Sequence, residues 1–245
     1  MNTELIGGLR CHVVDRLPDG QSPTLVVILC HGFGAPGTDL VGLGPEILAR
    51  QPQLAAAVRF VFPEAPLSLA EVGMPGGRAW WMLDIEKLNA AIMTGALRDL
   101  RNDHPPELPA VREQLIAVID AQREQTGLPM SQIVLGGFSQ GSVLSIDVSL
   151  RLPEPPGLLT VFSGTLMSED EWRVLAVKRG AMHVLQSHGD EDQILPFEAA
   201  EWLRDLLVES GCEVEFIPFH GPHTIPQTAL VRFVERLTEI VGEEG

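Results

Sequence analysis

Short apolar runs alternate with longer amphipathic stretches along the chain, and this alternation predicts a largely parallel sheet covered by helices. Residues 25–29 are apolar at every position, which is typical of a strand buried on both faces. The predicted strands are residues 9–14, 24–30, 58–62, 132–136, 157–162, 182–187 and 213–218. Apolar spacings of three and four predict helices at residues 111–125, 142–150, 198–209 and 230–241.

These elements are predicted to form one domain, residues 1–245, because no repeat and no flexible or charged linker divides the chain. A single α/β domain of this length is common. The least regular segments are residues 63–78 and residues 102–109. Irregular segments of this kind are often functional loops, although surface variation explains them equally well.

Composition narrows the function classes. The chain is 45% hydrophobic and 20% charged, which is typical of a globular protein. Its 33 acidic and 17 basic residues give a net charge of −16, which argues against binding to nucleic acid or to an anionic membrane surface. No secretory signal or membrane-length apolar run is evident in the sequence. We therefore expect a cytoplasmic protein that binds no nucleic acid and does not insert stably into a membrane.

The cysteines support a reducing compartment. Cys11, Cys30 and Cys212 are odd in number and widely spaced, so they fit neither a disulfide framework nor a zinc site. Free thiols are expected in the cytoplasm. The sequence His-Gly-Asp-Glu-Asp at residues 188–192 could suggest a metal site. One histidine among loop carboxylates more often belongs to a hydrogen-bonded structure, so no metal is expected.

The strongest chemical signal is Gly-Phe-Ser-Gln-Gly at residues 137–141, between a predicted buried strand and a predicted helix. A sharp strand-to-helix turn exposes its central residue, and glycine two positions to each side relieves the crowding. This context predicts Ser139 as a nucleophile. The alternative is an ordinary serine at a helix start.

A serine hydroxyl needs an imidazole to accept its proton and a carboxylate to orient that imidazole. In this arrangement the chain order is serine, acid, histidine, which confines the search to residues after Ser139. Asp190 and Asp192 follow the sixth predicted strand, and His220 and His223 follow the seventh. The residues by themselves leave both pairs open.

The sequence His-Gly-Phe-Gly-Ala at residues 31–35 directly follows the second predicted strand. Tetrahedral intermediates of acyl transfer need pre-aimed N–H donors, and a glycine-rich turn at this place supplies one of them. The N–H groups of Phe33 and Gln140 are therefore the candidate oxyanion hole. His31 comes too early in the chain to be the base, and we expect it to brace its loop by hydrogen bonding.

Together these motifs resemble the phospholipase/carboxylesterase family of α/β-hydrolases, which includes acyl-protein thioesterases and small bacterial carboxylesterases. Further matching stretches are Phe-Pro-Glu-Ala-Pro at 62–66, Ala-Trp-Trp at 79–81, and His-Gly-Asp-Glu-Asp at 188–192. The resemblance implies an α/β-hydrolase fold: a mostly parallel central sheet with helices on both faces and no large lid domain. It also implies Asp192 as the acid and His223 as the base, with Asp190 and His220 as rivals.

The implied activity is hydrolysis of carboxylic esters with short to medium acyl chains through an acyl-enzyme, without a cofactor. Thioesterase or lysophospholipase-like activity with the same triad is one alternative. A hydrolase-fold protein that binds a small apolar ligand without turnover is an alternative of another class. Dimerisation occurs in this family, so a homodimer is one possible assembly.

The resemblance places residues 79–81 beside the active site. Trp80 and Trp81 are therefore candidate substrate-binding residues, one lining the acyl pocket and the other packing in the core, and Met74 is a third candidate. Five acidic residues are expected around the site, with Arg78 as the nearest cation. Such a rim favours neutral esters over anionic acyl donors; its members are Glu64, Asp84, Asp190, Glu191 and Glu198.

Overall fold

The computed structural model describes residues 1–94 and 98–242. Its strands are β1 (Asn2–Ile6), β2 (Leu9–Val14), β3 (Leu25–Cys30), β4 (Val58–Pro63), β5 (Leu67–Ser68), β6 (Arg78–Ala79), β7 (Ile133–Phe138), β8 (Leu158–Phe162), β9 (His183–Gly189) and β10 (Glu213–Phe219). Its α-helices are α1 (Leu43–Arg50), α2 (Pro52–Ala55), α3 (Ile85–Thr94), α4 (Leu108–Thr126), α5 (Gln140–Arg151), α6 (Glu169–Arg179), α7 (Phe197–Glu209) and α8 (Gln227–Gly242).

Eight of these strands form one sheet in the order β1-β2-β4-β3-β7-β8-β9-β10. The strands from β4 to β10 in this order run parallel to their neighbours. At the other edge, β2 is antiparallel to β4 and β1 is antiparallel to β2. The short strands β5 and β6 form a separate antiparallel ribbon.

Helices cover both faces of the sheet. Apolar side chains of α4, α5, α6 and α7 pack in the core on one face, and those of α1, α2 and α8 pack in the core on the other. All six residues of β3 are buried, as expected for a strand between two helical layers. The predicted α/β-hydrolase architecture is confirmed.

All seven predicted strands and all four predicted helices are present, and their ends differ from the prediction by three residues or fewer. Strand β1 was not predicted, because four of its five residues are exposed and it lacks the alternation of a half-buried strand. The structure leaves residues 243–245 of the predicted domain, and residues 95–97, outside the described part. Within the described residues, no helix combines the length and the apolarity that crossing a membrane requires.

The topology of the sheet brings the candidate catalytic residues to one edge. Because parallel strands end at the same edge of a sheet, the segments that follow them meet there. His31 directly follows β3 and Ser139 directly follows β7, while Asp192 and His223 lie three and four residues beyond β9 and β10.

Candidate active site

The turn between β7 and α5 holds Ser139 in a strained conformation. Its φ is 53° and its ψ is −121°, which few residues other than glycine adopt. A Cβ atom on Gly137 would lie 2.2 Å from the Cys30 carbonyl oxygen, and one on Gly141 would lie 2.1 Å from the same oxygen. Only glycine at both positions lets β3 approach this turn, and strain of this kind is concentrated at active sites.

Asp192 and His223 form a close pair at the carboxyl ends of β9 and β10. His223 Nδ1 donates a hydrogen bond of 2.6 Å to Asp192 Oδ2. The other carboxylate oxygen accepts bonds of 2.9 Å from the N–H groups of Ile194 and Leu195. Asp192 therefore orders its own loop rather than capping α7, and both of its oxygens are committed.

His188 is a further partner of this carboxylate. Its ring is fully buried, and its Nε2 donates to the Leu195 carbonyl oxygen at 2.8 Å and lies 3.2 Å from Asp192 Oδ2. Burial raises the pKa of Asp192, but hydrogen bonds from His188, His223 and the Leu195 N–H outweigh burial. The net effect holds the pKa of Asp192 well below its ordinary range, so this carboxylate stays ionised.

The rival residues form a second, peripheral pair. His220 Nδ1 lies 3.2 Å from Asp190 Oδ1, and the same oxygen accepts the Gly221 N–H. The His220 side chain is 80% exposed, whereas that of His223 is 11% exposed. The structure places His223, and neither rival, in the wall of the cavity that contains the serine.

That cavity has a volume of about 890 Å³ and lies at the carboxyl edge of the sheet. Ser139 and His223 are both in its wall, and the ring of Phe138 lies 4.7 Å from the ring of His223. Phe33 and Gln140 line it as well. The rest of the wall includes an apolar part formed by Trp81, Met82, Leu83, Val143 and Met167, and a polar part formed by Asp84, Arg98, Asp99, Asn102, Asp103 and His104.

The loop after β3 is fixed by His31, as predicted from the sequence. Nδ1 of His31 donates to the Gly32 carbonyl oxygen at 2.8 Å, and Nε2 accepts the Ala65 N–H at 3.1 Å. Burial lowers the pKa of His31, which keeps the ring neutral, as an accepting Nε2 requires. On the far side of Phe33, the Gly34 N–H donates to the Arg78 carbonyl oxygen at 2.9 Å.

Gln140 ties the nucleophile turn to the two tryptophans. Its side chain accepts the Trp80 N–H at 2.9 Å and donates to the Trp81 carbonyl oxygen at 2.8 Å. The Trp80 indole N–H donates to the His31 carbonyl oxygen at 2.9 Å. These bonds join the two backbone segments whose N–H groups are the candidate oxyanion hole.

The three predicted substrate-binding residues differ in whether they line the cavity, and of the two tryptophans one lines it and the other packs in the core, as predicted. Trp81 lines the cavity, but Trp80 does not; it is fully buried because its indole N–H finds an acceptor in the interior. Met74 does not line the cavity either: it packs beside the loop at Gly34, where its sulfur is 3.7 Å from the position a Cβ would take. Both residues contact the loop after β3, Trp80 at His31 and Met74 near Gly34.

Of the five members of the predicted acidic rim, only Asp84 lines the cavity, where two further aspartates, Asp99 and Asp103, accompany it. Glu64 is bound to His12 at 2.9 Å and lies 3.7 Å from Arg78. Arg78, the predicted nearest cation, is therefore paired with Glu64. The sequence shows that the five acidic residues lie near the motifs, but it does not show toward which side of each loop their side chains point. The remaining predicted members, which do not line the cavity, are Asp190, Glu191 and Glu198.

Sequence reasoning missed His188, Arg98, Asp99 and Asp103. His188 was visible only as the first residue of a motif. The other three lie between α3 and α4 and line the cavity; Asp103 belongs to the irregular segment 102–109 noted in the sequence, but no pattern indicated Arg98 or Asp99. Within the described residues, no group of three or more histidine, cysteine, aspartate or glutamate side chains is arranged to hold a metal ion.

Comparisons with known proteins identify relatives of this chain. Acyl-protein thioesterase 1 of Mycosarcoma maydis is 26% identical over 215 residues, which cover 85% of each chain. That of Eremothecium gossypii is 30% identical over 184 residues, covering 74% of this chain and 72% of that protein. The crystal structure of esterase PE8 is 28% identical, with a TM-score of 0.76 and coverage of 94% and 97%.

A carboxylesterase from Mesorhizobium loti is similar in fold alone, with 17% identity, a TM-score of 0.70 and coverage of 97% of this chain and 99% of that one. The family model described as Phospholipase/Carboxylesterase matches residues 17–240, nearly the whole chain. This chain therefore belongs to the phospholipase/carboxylesterase family of α/β-hydrolases, and it is a hydrolase of the esterase or thioesterase type.

Proposed function

We propose that this protein is a carboxylesterase that transfers an acyl group first to Ser139 and then to water. The observation that carries the proposal is the part-buried 2.6 Å bond between Asp192 and His223, with His223 in the wall of the cavity that also holds Ser139. A strained serine, an oriented imidazole and an ionised carboxylate are the components that this reaction needs.

In the proposed mechanism, Ser139 Oγ attacks the ester carbonyl while His223 Nε2 takes its proton. Asp192 keeps the proton on Nδ1 of His223 and stabilises the imidazolium. The N–H groups of Phe33 and Gln140 bind the oxyanion. His223 then protonates the leaving alcohol, and a water molecule activated by the same imidazole releases the acid. No metal or organic cofactor takes part.

Short to medium acyl chains fit this cavity better than long ones. A long alkyl chain needs a long apolar wall to replace water. Here charged and polar side chains, among them Asp84 and Arg98, share the wall with the apolar ones. The substrates we propose are small-molecule esters rather than long-chain lipids.

Thioester hydrolysis is the second candidate, because the curated relatives described above are named acyl-protein thioesterases. A matched pair, ethyl butyrate and its S-ethyl thioester, decides between them by steady-state kinetics. We expect a higher kcat/KM for the oxygen ester once the intrinsic reactivities are divided out. A preference for the thioester, or for palmitoyl over butyryl esters, would contradict the proposal.

We also propose a cytoplasmic location. All three cysteines are free and buried, which suits a reducing compartment. Fractionation of cells that produce the protein, with antibody detection, should find it in the cytoplasmic fraction.

A further inference from the structure

Arg98 is an unusual member of the cavity wall. It follows α3, it is partly buried, and it lines the same cavity as Ser139. Its Nη1 donates to the Ile194 carbonyl oxygen at 3.3 Å, and this is the one hydrogen bond that its guanidinium makes to the described residues. A guanidinium has five N–H donors, so most of them lack a protein partner.

No carboxylate among the described residues lies within 4.0 Å of Arg98. Burial lowers the pKa of Arg98, whereas Asp103 and Asp192 act on it through space in the opposite direction. Asp192 is already committed to His188 and His223. Arg98 is partly buried and has no ion pair within 4.0 Å among the described residues, so its charge is free to meet a ligand in the cavity.

The other charges of the wall do not fill this role. Asp99 is held by Arg101 at 2.7 Å, and Asp84 has an interaction of its own. Asp103 carries its charge near Arg98 but beyond ion-pair distance. The guanidinium is thus the group of the cavity best suited to receive an anion, and its planar fork matches a carboxylate in two-point geometry.

We infer that Arg98 binds a carboxylate of the substrate, so that the preferred esters carry one carboxylate group besides the ester bond. The inference rests on the proposed function and specifies its substrate class. It replaces the expectation of neutral esters, because Asp84 and Asp99 of the cavity wall already have partners, whereas Arg98 has no ion pair within 4.0 Å among the described residues. Hydrolysis adds water across the ester bond, and the carboxylate leaves with either the acid or the alcohol product.

Two matched pairs of small esters test the inference and distinguish these two positions of the charge. Monomethyl glutarate and methyl valerate differ by a carboxylate in place of a terminal methyl group on the acyl side. 4-Acetoxybutanoate and butyl acetate differ in the same way on the alcohol side. Proton release in a pH-stat at low salt gives kcat/KM for each ester with the wild type, Arg98→Gln and Arg98→Lys.

We expect the wild type to favour the charged member of one pair, and Arg98→Gln to lower that charged-to-neutral ratio by about 10- to 100-fold, as for a lost charge-assisted contact. Arg98→Lys should restore part of the ratio, because it restores the charge, and added salt should weaken the preference. Arg50→Gln is the control for overall charge, since Arg50 lies on α1 and pairs with Glu46; it should keep the wild-type ratio.

Equal ratios in the wild type and Arg98→Gln, or faster cleavage of the neutral member in both pairs, would overturn the inference while leaving the esterase proposal intact. Absence of hydrolysis of all four esters by a wild type that is folded would instead contradict the esterase proposal. If Arg98→Gln fails to fold, the comparison of the wild type with Arg98→Lys decides, because the lysine cannot reproduce the two-point contact and should lower the ratio.

Discussion

Asp192→Asn changes one atom in the proposed triad, and the structure fixes how the new side chain must sit. The Oδ1 position receives two backbone N–H donors and so requires an acceptor. The amide nitrogen must therefore take the Oδ2 position, 2.6 Å from His223 Nδ1 and 3.2 Å from His188 Nε2. A donor now faces His223 Nδ1, which favours the tautomer with its proton on Nε2.

That tautomer cannot accept the proton of Ser139. Loss of the charge-assisted bond alone is worth about 1.5–3 kcal/mol, or about 10- to 150-fold in rate. The reversed tautomer adds to this loss, and the same substitution in a serine-protease triad lowers kcat about 10⁴-fold. We expect kcat to fall by about 10³- to 10⁴-fold, with KM little changed.

The assay is p-nitrophenyl butyrate hydrolysis, with circular dichroism to establish that the variant is folded. Asp190→Asn is the matched control, because it makes the same change in the peripheral pair with His220, and it should stay within about threefold of the wild type. A folded Asp192→Asn that loses less than about tenfold would refute the reasoning. A large loss in Asp190→Asn would transfer the role to that residue.

Three further predictions concern stability and the cavity wall. A carboxyl whose pKa is lower in the folded chain stabilises the fold above the unfolded pKa of about 4 and loses that contribution as the pH falls. The free energy of unfolding of the wild type should therefore exceed that of Asp192→Asn by less near pH 3 than near pH 6, as measured by urea titration. Gly141→Ala should lower the free energy of unfolding by at least about 3 kcal/mol or prevent folding, because its Cβ would lie 2.1 Å from the Cys30 carbonyl oxygen. Gly42→Ala is the control: a Cβ there has nothing within 4 Å, so its melting temperature should be nearly unchanged. Equal melting temperatures for the two variants would contradict the account. Trp81→Leu should shift the preferred p-nitrophenyl ester to a longer acyl chain, because Trp81 lines the cavity. Trp80→Phe should keep the chain-length preference of the wild type. The reverse pattern would contradict the placement of Trp81 in the cavity wall and Trp80 in the core.

The sequence predicts the central sheet because burial on both faces leaves a simple pattern. Residues 25–30 are apolar without interruption and form β3, and the nucleophile turn is recognisable because its geometry demands glycine at fixed positions. β1 escapes prediction for the opposite reason. Its exposed residues carry no pattern, and only pairing with β2 makes it a strand.

Side-chain direction is the part of the site that could not be predicted. Trp80 and Trp81 are adjacent and identical in type, and only the bonds to His31 and Gln140 decide which of them faces the substrate. Arg98 lies in the cavity wall through tertiary contacts that leave no local signal in the sequence. His188 supports Asp192 through a contact that becomes visible once the loop after β9 is folded.

The central claim is that Ser139 carries the acyl group. Intact-protein mass spectrometry after treatment with a fluorophosphonate, followed by peptide mapping, tests this claim most directly. We predict one adduct per chain, located on Ser139, and neither an adduct nor ester hydrolysis in Ser139→Ala. An adduct on another residue, or hydrolysis retained by a folded Ser139→Ala, would contradict the account.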